Sequence, residues 1–128
     1  MAKILIVDDD EDLLRLTGEY LRSVGIEYDL ADSAQQARNS LKHSGYDMIV
    51  SDFNMPGESG LDLLRYVSSI YPETPFVLMT GSEDLRIKRE SMRMGAHAYI
   101  QKPFYLNELG KIVIDLLRRD DLKEVSAA

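Results

Sequence analysis

The chain has 128 residues with 15 basic and 22 acidic side chains, a net charge of −7, and neither cysteine nor tryptophan. That length fits one domain, which can bury roughly 70% of the surface its unfolded form exposes without disulfides or cysteine-bound zinc. The acidic excess argues against gripping a nucleic-acid backbone, which needs clustered cations, and the first apolar run, Ile4 to Val7, is too short for a secretory signal or a membrane span.

In chain order, Lys3 to Val7 is a short apolar, β-branched run of the kind that forms a strand buried on both faces. Leu13, Leu14, Thr17, Tyr20, Leu21 and Val24 then fall on one helical stripe, with Gly25 placed to terminate it. Ile26, Tyr28 and Leu30 alternate with Glu27 and Asp29, so the second strand has a wetter side and belongs at a sheet edge. Ser33 and Gln36 have capping-box spacing ahead of a second helix carrying Ala34, Ala37 and Leu41. A third strand follows at Asp47 to Ser51, then a helix marked by Leu61, Leu64, Val67 and Ile70, and a fourth strand at Pro75 to Met79. The segment from Glu83 to Met94 intersperses Leu85, Ile87, Met92 and Met94 with basic residues, which predicts a loosely packed helix. Ala98 to Ile100 gives the last strand, and Leu106, Leu109, Val113 and Leu116 the last helix.

Strict β-α alternation through five repeats predicts an α/β fold: a five-stranded parallel sheet with helices on both faces, its right-handed crossovers giving the order 2-1-3-4-5. Residues 1–119 form the domain and residues 120–128 a short C-terminal tail. In this arrangement strands one and three are neighbours at the switch point, where ligands bind beyond the carboxyl ends.

Asp8 and Asp9 follow the first strand, Asp52 the third, Thr80 the fourth and Lys102 the fifth, so all face one cleft. Each has a plainer reading. Asp8, Asp9, Asp10, Glu11 and Asp12 form a run of acids that suits the positive end of the first helix, Asp52 starts a turn before Met55-Pro56-Gly57, Thr80 ends a strand, Lys102 is solvated, and Tyr99 packs. Their co-occurrence at successive strand ends favours chemistry. Adjacent carboxylates repel unless a cation lies between them, and oxygen ligands with room for water and phosphate favour Mg²⁺. An ionised aspartate can attack phosphorus to give an acyl phosphate, with Mg²⁺ and Lys102 neutralising the phosphoryl oxygens and the Thr80 hydroxyl donating to one of them.

The chain to about Arg118 resembles a receiver domain of two-component response regulators, of the chemotaxis-regulator type with a flavodoxin-like fold. The matching segments are Ile-Leu-Ile-Val-Asp-Asp at 4–9, Ser-Asp-Phe-Asn-Met-Pro-Gly at 51–57 with Gly60-Leu61, Leu-Met-Thr-Gly at 78–81, and Tyr-Ile-Gln-Lys-Pro-Phe at 99–104. The resemblance implies that Asp52 accepts a phosphoryl group from a histidine kinase or phosphotransfer protein. It makes Asp9, Asp52 and the Asn54 backbone carbonyl Mg²⁺ ligands, with Asp8 acting largely through metal-bound water. It makes Thr80 and Tyr99 a switch pair and Lys102 the phosphoryl-binding lysine, followed by a cis proline at Pro103, and sets Asn54 and Ser82 beside the path of the hydrolytic water. Gly81 stands where the family often has alanine, and His43 and His97 lie off the cleft.

A signalling switch in the cytoplasm, rather than an enzyme, is therefore the expected function, with a face made by the fourth helix, fifth strand and fifth helix binding an output protein or a second copy of the chain. The competing reading is a Mg²⁺-dependent phosphohydrolase with an aspartyl-phosphate intermediate. The haloacid-dehalogenase type needs an aspartate two residues after its nucleophile, and that residue is Asn54 here. A flavin module would need phosphate-cradling backbone where the first loop places acids. The sequence leaves room for no output domain, so either a stand-alone regulator or a receiver excised from a longer chain is expected.

Overall fold

The computed structural model describes residues 2–127, with side chains through Arg119. Ten elements alternate: β1 (Lys3–Val7), α1 (Glu11–Ser23), β2 (Glu27–Ala31), α2 (Ala34–His43), β3 (Met48–Asp52), α3 (Gly60–Ile70), β4 (Phe76–Thr80), α4 (Leu85–Arg93), β5 (Ala98–Gln101) and α5 (Leu106–Ala127). The strands are parallel in the order β2-β1-β3-β4-β5, as expected from the alternation. The tail expected at 120–128 falls where no side chain is described, and Ala128 lies outside the described residues altogether.

Because successive strand residues point to opposite faces, the central strands feed two cores. Leu5, Val7, Ile49, Phe76 and Leu78 pack with α2 and α3, while Ile4, Ile6, Met48, Val50, Val77 and Met79 pack with α1 and α5. Each fully buried Leu or Ile stabilises the fold by about 1.5–3 kcal/mol, so these strand residues set which way every neighbour points.

Local signals in the sequence position the helices. Asp10 caps α1 through its side chain, which accepts from Asp12 and Leu13 backbone N–H groups. The plainer reading of that acid is thus correct. Gly25, at φ +87°, follows the α1 cap in a conformation side chains resist. Ser33 caps α2, but Gln36 reaches back to the Asp32 N–H rather than to that of Ser33, so half of the expected capping box is displaced by one residue. A full capping box appears instead at Ser59 and Asp62 of α3.

The structure corrects three details of the apolar pattern. In α3 the buried stripe is Gly60, Leu63, Leu64 and Val67, while Ile70 is 56% exposed. Steps of three residues drift off a face with 3.6 residues per turn, so the fourth member of a three-spaced series leaves the core. In α1, Val24 is exposed because the helix has already ended. In β2, Leu30 is exposed although Ile26 is buried. α1 crosses directly over the Tyr28 ring at Gly18, where a Cβ would lie 2.5 Å from it, leaving Leu30 uncovered at the sheet edge. Loose packing of α4 is as expected, with Ser91 its one buried residue.

Candidate functional site

The register brings the carboxyl ends into line. Val7 pairs with Ser51, and the next residues on each strand, Asp8 and Asp52, leave the sheet side by side. Asp52 pairs with Met79 and Thr80 with Gln101, while Lys102 N–H bonds the Thr80 carbonyl at 2.7 Å. Asp8 continues the alternation of Ile4 and Ile6, and Asp52 that of Met48 and Val50, so both carboxylates project toward the α1 and α5 side.

One carboxylate oxygen each from Asp8, Asp9 and Asp52 lies within 4.8 Å of the others, with Asp8 and Asp52 buried and Asp9 exposed. Asp8 is fixed from two directions: its Oδ1 accepts the Asp10 N–H at 3.0 Å and its Oδ2 accepts from Lys102 Nζ at 2.8 Å. The same ammonium stands 3.2 Å from Asp52 Oδ1. Three clustered carboxylate oxygens, one open to solvent, form a donor set that fits a hard divalent cation.

Electrostatics follow from this geometry. Burial, followed by the charge of Asp8, pushes the Asp52 carboxyl above the usual carboxylate range; Lys102 opposes that shift and Asp9 adds to it. Burial pulls the Lys102 ammonium down, but its hydrogen bond to Asp8 and the charges of Asp8 and Asp52 outweigh burial and raise it. Lys102 is therefore a fixed cation at neutral pH.

Gly60 explains why Asp52 sits where it does. A Cβ there would lie 2.1 Å from the Asp52 carbonyl oxygen, so only glycine lets the start of α3 pass against the Asp52 backbone. The Phe53 and Gly60 peptides close the intervening loop at its base, with Gly60 N–H donating to the Phe53 carbonyl at 2.9 Å. Asn54 is exposed on that loop.

Thr80 is buried and faces the adjoining turn: its Oγ1 accepts the Ser82 N–H at 3.1 Å. The half-buried Tyr99 donates its hydroxyl to the Ser82 carbonyl at 3.2 Å. Thr80, Ser82 and Tyr99 are thus linked to one another, and among the described residues none bonds Asp52. The Lys102–Pro103 peptide is cis, as the resemblance implied. Gly81 has no sterically required role, since an added Cβ there would meet nothing within 4 Å. His43 bonds the Asn39 carbonyl within α2, and His97 Nδ1 accepts the Phe76 N–H at the amino end of the sheet; both stand off the cleft. What sequence reasoning missed is Arg38, which meets Glu58 of the loop after Asp52. A lone arginine on a polar helix gives no signal of such a partner.

The model of the family described as response regulator receiver domain matches residues 4–114. The FleR response regulator protein of Pseudomonas aeruginosa is 36% identical over 124 residues, 97% of this chain but 25% of that protein, so the chain spans about a quarter of its length. Among solved structures, a receiver domain protein from Methanospirillum hungatei matches with a TM-score of 0.92 at 27% identity, covering 96% of this chain and 98% of that one. TrrA of Thermotoga maritima, solved in complex with Mg²⁺ and BeF, matches with a TM-score of 0.83 at 30% identity, covering 91% of this chain and 99% of that one. Sheet order, acidic cleft and these likenesses agree, and the chain belongs to the response-regulator receiver domain family.

Proposed function

We propose that Asp52 is the phosphoacceptor of this receiver and that Thr80 and Tyr99 carry its state outward. The observation that supports this most is the Lys102 ammonium held between Asp8 and Asp52, with the Asp9 carboxylate beside them. An Asp52 oxygen attacks the phosphorus of a phosphohistidine on a kinase or phosphotransfer protein. The new P–O bond forms as the P–N bond breaks, and the imidazole leaves with a proton. Lys102 holds the transferred oxygens by charge. Asp8, Asp9, Asp52 and the Asn54 carbonyl would hold Mg²⁺, which when bound supplies charge neutralisation for the phosphoryl group; TrrA, of the same fold, was solved with that ion. The chain takes part in its own phosphorylation and dephosphorylation without turning over a separate substrate. As a hydrolase it would lack the aspartate two residues past Asp52, where Asn54 stands.

The Thr80 oxygen accepts from Ser82, which leaves its hydroxyl proton free to donate to a phosphoryl oxygen. Turning that hydroxyl toward Asp52 strains its bond to Ser82, and the Ser82 carbonyl in turn holds Tyr99. α4 moves at low cost because Ser91 is its one buried residue. The output face comprises α4, β5 and α5, with Leu85 and Met92 exposed on α4 and Tyr105 exposed just before α5, and it binds an output protein or a second copy of the chain. Coupling of about 1–3 kcal/mol suffices for such a switch. Asn54 and Ser82 border the path of the hydrolytic water and tune the lifetime of the acyl phosphate through access, neither being a base at neutral pH. The functional unit is residues 1–119, around the matched 4–114, and we place it in the cytoplasm; among the described residues no helix is long and apolar enough to cross a membrane.

Amide NMR with beryllofluoride, a phosphoryl mimic, tests this. Adding it with Mg²⁺ should shift signals of Asp52, Thr80 and Lys102 together with the segment from Gly81 to Tyr99. Shifts confined to the loops around Asp52 would refute the output face, and no shift at all would refute the phosphoacceptor assignment.

A further inference from the structure

The loop from Phe53 to Ser59 must present the Asn54 carbonyl to the cleft, yet among the described residues its backbone bonds lie at its base, Phe53 N–H on the Met79 carbonyl of β4 and Gly60 N–H on the Phe53 carbonyl. Between these bonds Met55 is buried, and at the distal end Glu58 reaches across to α2. Its Oε2 lies 2.6 Å from Arg38 Nη2, and the Arg38 guanidinium stacks 4.6 Å from the centre of the Tyr66 ring on α3. Tyr66 meets Tyr71 edge-on, and the Tyr71 hydroxyl bonds the Leu41 carbonyl of α2. Arg38 is therefore held between two helices and the loop.

The side chains of Arg38 and Glu58 are 33% and 42% exposed, but Glu58 Oε2, which meets Arg38 Nη2, is buried, and so is the neighbouring Arg38 Nε. Neither Arg38 Nε nor Glu58 Oε2 has a hydrogen-bond partner, so charge and the Tyr66 ring hold this contact. A partly exposed ion pair adds little to global stability, whereas a planar guanidinium pinned on an aromatic ring fixes direction. Its effect falls on the part of the loop beyond the buried Met55, where Glu58 is the side chain that reaches α2. We propose that Arg38 is a positioning residue for the phosphoacceptor site, acting through Glu58 to hold the loop that carries Asn54 in the geometry that binds Mg²⁺. This inference rests on the reading of Asp52, Asp9 and Asn54 given above.

The test uses Arg38→Met, which keeps the apolar stem, Glu58→Gln, and the double variant. In metal-free protein, the Gly60 amide, whose bond to the Phe53 carbonyl closes the loop, should exchange several-fold faster in each, while the urea midpoint of the whole chain barely moves. Mg²⁺ titrated by amide shifts should bind about 10-fold more weakly, the low end of what supporting residues around a metal contribute. The double variant should match either single one, because the two substitutions remove the same contact. Loop exchange or Mg²⁺ affinity equal to wild type in Arg38→Met would overturn the proposal, as would additive losses in the double variant. Failure of the underlying reading is distinguishable, since it would show in the wild-type chain as no Mg²⁺-dependent shift at all.

Discussion

Replacing Asp52 by asparagine should make the metal-free protein more stable at pH 7, because the site holds more negative charge than Lys102 balances. At an effective permittivity of about 20, two carboxylate charges 4.8 Å apart repel by roughly 3.5 kcal/mol, and an ammonium 3.2 Å away attracts by roughly 5 kcal/mol. Asp52 faces two such carboxylates and one such ammonium, and is itself buried. Solvent around the exposed Asp9 weakens its share, which leaves a net penalty on the order of 1–2 kcal/mol. The sign with pH follows from linkage. Asp52 has a carboxyl raised above its unfolded value of 3.8, so the folded chain holds that proton more tightly: the penalty is absent below the unfolded value, grows between the two values and is full above the folded one. The gain from Asp52→Asn should thus be largest on the alkaline side, shrink as pH falls through the folded value and vanish near the unfolded one. Urea unfolding of both proteins followed by circular dichroism in EDTA measures it, and saturating Mg²⁺ should reduce the gain by stabilising the wild type. An asparagine variant no more stable than wild type in EDTA, or a gain that grows at low pH, would refute the charge accounting.

Lys102→Met should destabilise the chain by about 2–3 kcal/mol, since it leaves the buried Asp8 carboxylate without its cation; denaturant titration checks this, and an unchanged midpoint contradicts it. Gly60→Ala forces a Cβ onto the Asp52 carbonyl and should cost about 2 kcal/mol or more while displacing Asp52, read as slower phosphorylation by acetyl phosphate. Gly81→Ala meets no neighbour and should stabilise by about 0.4–1 kcal/mol through the unfolded chain, with thermal unfolding as the readout. Bulky or charged residues at Ser82 should change the acyl-phosphate lifetime several-fold with Mg²⁺ affinity nearly unchanged; equal lifetimes would contradict control by water access.

Much of this fold was legible because its signals are local and repeated. The β-branched runs and the alternation of five units fix the sheet and its order, and the acids at the ends of β1 and β3 meet because the register leaves no alternative once Val7 lies beside Ser51. The site was readable for the same reason: each of its members ends a strand. Leu30 and Ile70 were misread because apolar character does not say which neighbour covers a residue, and coverage depends on where α1 and α3 cross the sheet. Arg38 was invisible because its partner, Glu58, lies twenty positions away on a loop without periodic pattern. The Thr80–Ser82–Tyr99 chain was legible in its members but not in its bonds, which run through backbone groups of a turn.

The central claim is that Asp52 takes a phosphoryl group with help from a divalent cation, and intact-mass measurement after incubation with acetyl phosphate and Mg²⁺ tests it most directly. The wild-type chain should gain a single phosphoryl group, with none added in Asp52→Asn and none in excess EDTA. An adduct that persists in Asp52→Asn, or that forms equally well in EDTA, would contradict it.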